Sequence, residues 1–128
     1  MIPEPTPKFV GAVQRSLAYW RNQLSQHRLT PHEWLLLSKT LRIAAKLPST
    51  WAQAAELTLI ASRMLNRWGL WVRWEGVLQT VIDQTPPSGL PLKSKLLVQL
   101  GHVQVHRGAP LAAEEAYLAG QCLAQTQG

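Results

Sequence analysis

His102 and His106 stand four residues apart, a spacing that turns two imidazoles toward one side of a helix and toward one metal ion. A protein zinc site needs at least a third ligand. No acid lies close to the pair in sequence, and Cys122, the single cysteine, falls well downstream. The two histidines are therefore read as surface or groove groups. Cys122 as a nucleophile would need a base and an oxyanion hole. Set among Gly120, Leu123 and Ala124, it reads instead as a small core filler. Glu114 and Glu115 are adjacent, so a helix points them in different directions and they make no catalytic carboxylate pair. They read as favourable charge near a helix N-terminus. The chain has no glycine-rich phosphate loop, paired zinc-ligand motif or nucleophile elbow. The expectation is a protein that is not an enzyme and uses no metal and no cofactor.

Charge is the more informative chemistry. The 128 residues carry a net +6 with a pI near 10.1. Residues 1–75 hold ten Lys and Arg against four acids, and residues 76–128 hold three of each. Such a surface attracts acidic protein, nucleic acid or anionic lipid. Lys39, Arg42 and Lys46 share a helix face and form a possible phosphate-contacting stripe. Six tryptophans against two tyrosines and one phenylalanine suit helix seams and interfaces. Trp68, Trp71 and Trp74 bracket Gly69; they are read as a seal between two helices, with an aromatic cleft for peptide or bases as the alternative.

The elements that must position these residues are helical. Phe9, Val13, Leu17, Trp20 and Leu24 recur every three or four residues over 8–26. Thr30-Pro31-His32-Glu33 offers an N-cap, a first-turn proline and a capping-box glutamate. The helix it opens carries Trp34, Leu37, Leu41 and Ala44 and stops before Pro48. Ser49 or Thr50 caps a third helix over 51–67, apolar on several sides (Ala54, Leu57, Ala61, Met64) and so expected between neighbours. A fourth runs over 70–82. After the break at 85–91, a fifth holds Leu92, Leu96, Leu97, Leu100 and Val103, and Pro110 opens a sixth. The three prolines among residues 1–7 make that segment extended. No 18-residue uncharged apolar run is present, so no membrane span is expected. One cysteine and a start unlike a signal peptide point to the cytoplasm.

Helices three and four can be laid over five and six, with Gly69 and Gly108 at equivalent turns. The spacing Leu97, Leu100, Gly101, Gly108, Ala113, Tyr117, Gly120 resembles the tetratricopeptide repeat. The preceding pair follows the same register through Thr58, Ala61, Ser62, Leu65, Gly69, Leu78, Val81 and Pro86. It departs at Trp74, where Ala is usual; Gln104 and Gln125 replace an aromatic and a proline. The resemblance spans about 55–125 and implies an all-α fold: a right-handed α-α superhelix of about three antiparallel helix pairs, filling 8–128 as one domain. It also implies a groove lined by the first helix of each pair, here Arg63, Asn66, Arg67, Lys95, Gln99, His102 and His106. Leu59 and Arg63 replace the residues that grip a terminal carboxylate in chaperone-binding members, so that activity is not implied.

The expected function is a protein–protein scaffold whose basic groove takes an acidic protein or peptide. A nucleic-acid adaptor using the basic first 75 residues is the second expectation. A regulatory subunit that forms a homo-oligomer or larger assembly through its end helices is the third, because the sixth helix exposes apolar positions with no polar helix after it.

Overall fold

Thr30 opens the second helix by the chemistry its sequence offers. Its side-chain oxygen accepts from the Glu33 N–H (3.2 Å), and Glu33 Oε1 accepts from the Thr30 N–H (3.0 Å). This reciprocal pair satisfies two donors that a helix start otherwise leaves orphaned. In the computed structural model the described residues are 6–26, 28–64 and 71–127, without the side chains of Trp71 and Gln127. They form α1 (Pro7–Gln26), α2 (Pro31–Ala45), α3 (Trp51–Met64), α4 (Trp71–Asp83), α5 (Leu90–His106) and α6 (Pro110–Gln127). A 3-10 turn over Pro87–Gly89 precedes α5, and no strand occurs among the described residues.

Chain neighbours pack as antiparallel pairs, and the odd-numbered helices also touch one another: α1 lies on α3, and α3 on α5. On the other side α2 lies on α4. The result is two layers. α3 meets α1, α2, α4 and α5, which explains why its sequence is apolar on several sides. Buried side chains from all six helices form one hydrophobic cluster.

Three buried tryptophans lock the layers. Trp51 donates its indole N–H to the Val81 carbonyl (2.9 Å), tying the start of α3 to the end of α4. Trp74, only 2% exposed, donates to Ser62 Oγ (2.8 Å) and meets Trp34 edge to face at 5.5 Å. The departure at Trp74 is thus a cross-layer pin: its ring occupies the α2–α4 seam and its one polar atom is satisfied. Trp74 acts as the expected seal, whereas Trp68 and the Trp71 side chain lie outside the described residues. So do Gly69 and Leu65.

The α5–α6 hairpin shows why small residues recur in it. A Cβ on Gly101 would fall 2.5 Å from Tyr117 Cε1, and one on Gly120 would fall 3.1 Å from the Ser94 carbonyl oxygen. Ser94 Oγ donates to the Gly120 carbonyl (2.8 Å), closing the approach. Gly108 turns the chain at φ +84°, a conformation that glycine adopts without a steric penalty.

Several expectations are corrected. Phe9 and Met64 are exposed, because α1 has neighbours on one side only and Met64 sits in the last turn of α3. Thr50 does not cap α3: its hydroxyl turns back and donates to the Ala44 carbonyl (2.8 Å), serving the end of α2. Glu114 and Glu115 lie beyond the first turn of α6, where the helix dipole is already weak. Cys122 is exposed rather than a core filler, because the helical period sets it opposite Ala113, Ala116 and Gly120, the face α6 packs on α5.

Candidate functional site

The odd-numbered helices present the most chemically distinct surface. A cleft of about 140 Å³ opens between α1 and α3, lined by Gln14, Leu17, Ala18, Arg21, Gln53 and Leu57. Gln14, Ala18 and Arg21 follow one another at i, i+4, i+7 and so share a strip of α1. On α3 the outward residues are Ala52, Gln53, Glu56, Arg63 and Met64, with Ile60 half-buried. On α5 they include Lys95, His102 and His106 at i, i+7, i+11, with Gln99 half-buried beside them.

Two sets of hydrogen bonds fix the level of α3 against α5. Ser62 accepts from Trp74, and the adjacent Glu75 accepts from Gln104 Nε2 (3.1 Å) and Arg107 Nη2 (3.0 Å). The end of α3 is therefore level with the last turns of α5, so Arg63 stands at the same end of the layer as His102 and His106. His102 meets Tyr117 of α6 edge to face at 5.6 Å, which sets the direction of its imidazole. Of the residues expected in a groove, Arg63, Lys95, His102 and His106 are exposed and Gln99 is half-buried on these two packed helices. Asn66 and Arg67 lie outside the described residues.

Gln14, Arg21 and Gln53 were not foreseen. The resemblance begins near residue 55, so the first pair had no register to borrow. The helical spacing of Gln14, Ala18 and Arg21 was the available signal.

Charge follows the layers. α1, α3 and α5 together hold six Lys and Arg and one acid, Glu56. α2 and α4 hold three Lys and Arg and three acids, and α6, which packs on α5, holds two acids and no Lys or Arg. The basic excess that the linear sequence assigns to residues 1–75 is thus, in space, an excess on one layer.

Of the stripe, Lys39 and Arg42 are exposed on α2 and Lys46 is exposed at its C-cap. The Arg42 guanidinium reaches over Gly76 of α4, where a Cβ would fall 2.7 Å from Nη2. Around Glu75, partial burial raises the carboxyl pKa, but the hydrogen bonds from Arg107 and Gln104 and the Arg107 charge outweigh it, holding it below the ordinary glutamate value. Gln104, standing where the resemblance calls for an aromatic, is buried and spends its amide N–H on this pair. Among the described residues its Oε1 has no partner.

These features define an all-helical, two-layer protein with one predominantly basic, amide-rich layer. No helix among the described residues is long and apolar enough to cross a membrane. No group of three or more metal-ligating side chains occurs among them. Compared with known proteins, the chain matches no family model, no curated protein and no solved structure.

Proposed function

We propose that this chain is a non-enzymatic scaffold of the tetratricopeptide-like kind, three helix pairs in a right-handed superhelix, whose odd-numbered helices bind an acidic segment of another protein. The observation that carries the reading is the segregation of charge by layer, six cations against one acid on α1, α3 and α5, of which Arg21, Arg63 and Lys95 stand on the outward strips. The packing of α1 on α3 and α3 on α5 supports it, since it turns three separate strips into neighbours.

The chemistry suits carboxylates. Arg21 and Arg63 offer planar forks for bidentate pairing with Asp or Glu. Gln14, Gln53 and Gln99 can exchange hydrogen bonds with the backbone of an extended peptide. Glu56 repels a carboxylate at one point between them, which sets the register of the bound segment. An exposed thiol at Cys122 fits a reducing compartment, and the cytoplasm is the setting this reading takes.

The test is fluorescence anisotropy with a labelled peptide rich in Asp and Glu, beside a single-stranded oligonucleotide of equal charge. Arg21→Glu with Arg63→Glu should weaken peptide binding at least about tenfold, or ~1.4 kcal/mol. Lys39→Glu with Arg42→Glu should leave it unchanged. Preference for the oligonucleotide, lost in the Lys39/Arg42 variant and falling linearly in log salt, would replace this reading with the nucleic-acid one.

A further inference from the structure

A second surface stands apart from the odd-numbered layer. α6 packs against α5 and has at most slight contact with any other helix. Its opposite face carries Leu111, 77% exposed, Leu118, 57% exposed, and Cys122. The spacing i, i+7, i+11 makes these one stripe, and Glu114 and Glu115 flank it. The helix contains no Lys or Arg. An exposed apolar stripe with single-signed borders has the composition of an interface.

At the other end of the molecule, α1 and α2 form a surface of the opposite kind. Phe9, Ala12 and Ser16 of α1 and Thr40 and Ile43 of α2 line an open cleft of about 190 Å³. Phe9 and Ile43 are 46% and 48% exposed. The cleft is of the order of the ~150 Å³ that accepts a benzene-sized guest, so it has room for an aliphatic side chain. Lys8 and Arg15 rise from α1, which has no acid, and Lys39 rises beside the cleft on α2.

We propose that the α6 face of one molecule docks in the α1–α2 cleft of a second copy, so that chains associate head to tail. Charge complementarity selects this occupant. Two α6 faces brought together would oppose Glu to Glu, and two α1–α2 surfaces would oppose Lys and Arg to their like. Only the heterologous pairing puts apolar stripe on apolar cleft with acids against cations. Leu118, midway along the stripe, enters the cleft, while Glu114 and Glu115 meet Lys8 and Arg15. A heterologous contact leaves one free surface of each kind, so the assembly is a growing chain or a closed ring.

Sedimentation velocity tests this on the whole protein. The weight-average mass should rise with concentration and fall as salt is added. Glu114→Lys with Glu115→Lys, and separately Lys8→Glu with Arg15→Glu, should each sediment as monomers with wild-type far-ultraviolet circular dichroism. Mixing the two variants should restore association, because the acidic α6 of the second meets the basic α1 of the first. Leu118→Ala is a milder probe on the same face and should weaken association without touching charge. A wild-type monomer at submillimolar concentration would overturn the proposal. So would an Lys8/Arg15 variant that still dimerises, which is the signature of a symmetric α6–α6 contact.

Discussion

Glu75 gathers Gln104 of α5 and Arg107, the residue that ends it, onto one carboxylate of α4, and so joins the last two hairpins. Because its folded pKa lies below the ordinary value, its contribution to stability is present above that value. It is lost as pH falls through the folded pKa. Glu75→Gln should therefore be less stable than wild type in urea at neutral pH, and the gap should close on acidification below the ordinary glutamate range. A gap that does not change with pH would mean that the pair contributes nothing. Gly101 is a second point at which one side chain decides. An added methyl group there meets the Tyr117 ring, an overpacking strain of about 1–3 kcal/mol, against about 1 kcal/mol gained in helix propensity. Gly101→Ala should destabilise the wild type by up to about 2 kcal/mol and stabilise a Tyr117→Ala background by about 1 kcal/mol. Urea denaturation of the four proteins measures the coupling, and additivity would show that the ring moves aside freely.

At the scale of elements, local signals were strong wherever backbone chemistry is stereotyped. The capping box at Thr30, the prolines at the starts of α2 and α6 and the glycine at 108 each mark a boundary that the helices respect. Thr30→Ala should lower stability by about 1 kcal/mol in thermal denaturation, since it frees the Glu33 N–H and unlatches Glu33. No change would mean that the packing of Leu29 and Trp34 alone holds the start of α2. What could not be read was which face of an end helix lacks a neighbour. Periodicity gives a stripe for Phe9 and a position for Cys122, but exposure depends on whether another element covers them, and that information is non-local. Thr50 misled for a related reason: a threonine between two helices can serve either, and here the nearer orphan is the Ala44 carbonyl.

For the whole molecule, the all-helical class and the order of the helices were legible in the sequence. Their assembly into two layers rests on contacts between helices distant in sequence, which periodicity does not carry, and the resemblance offers a register only from about residue 55. The candidate surface was accordingly half visible. Arg63, Lys95, His102 and His106 were placed from repeat register, and Gln14, Arg21 and Gln53 were missed with the hairpin that carries them. The split of charge between residues 1–75 and 76–128 also hid the alternation between layers. Successive helices belong to different layers, so any division of the chain at one point averages them.

The Trp34–Trp74 contact has an optical consequence. Two buried indoles 5.5 Å apart and 85° from coplanar have electronic transitions close enough to couple, and they are held in a fixed chiral setting. Their near-ultraviolet circular dichroism therefore reports whether α2 and α4 are seated against each other. A state that kept its helices but let α2 and α4 part would lose that signal while its far-ultraviolet spectrum stayed intact. The protein carries, without any label, its own gauge of registry between α2 and α4.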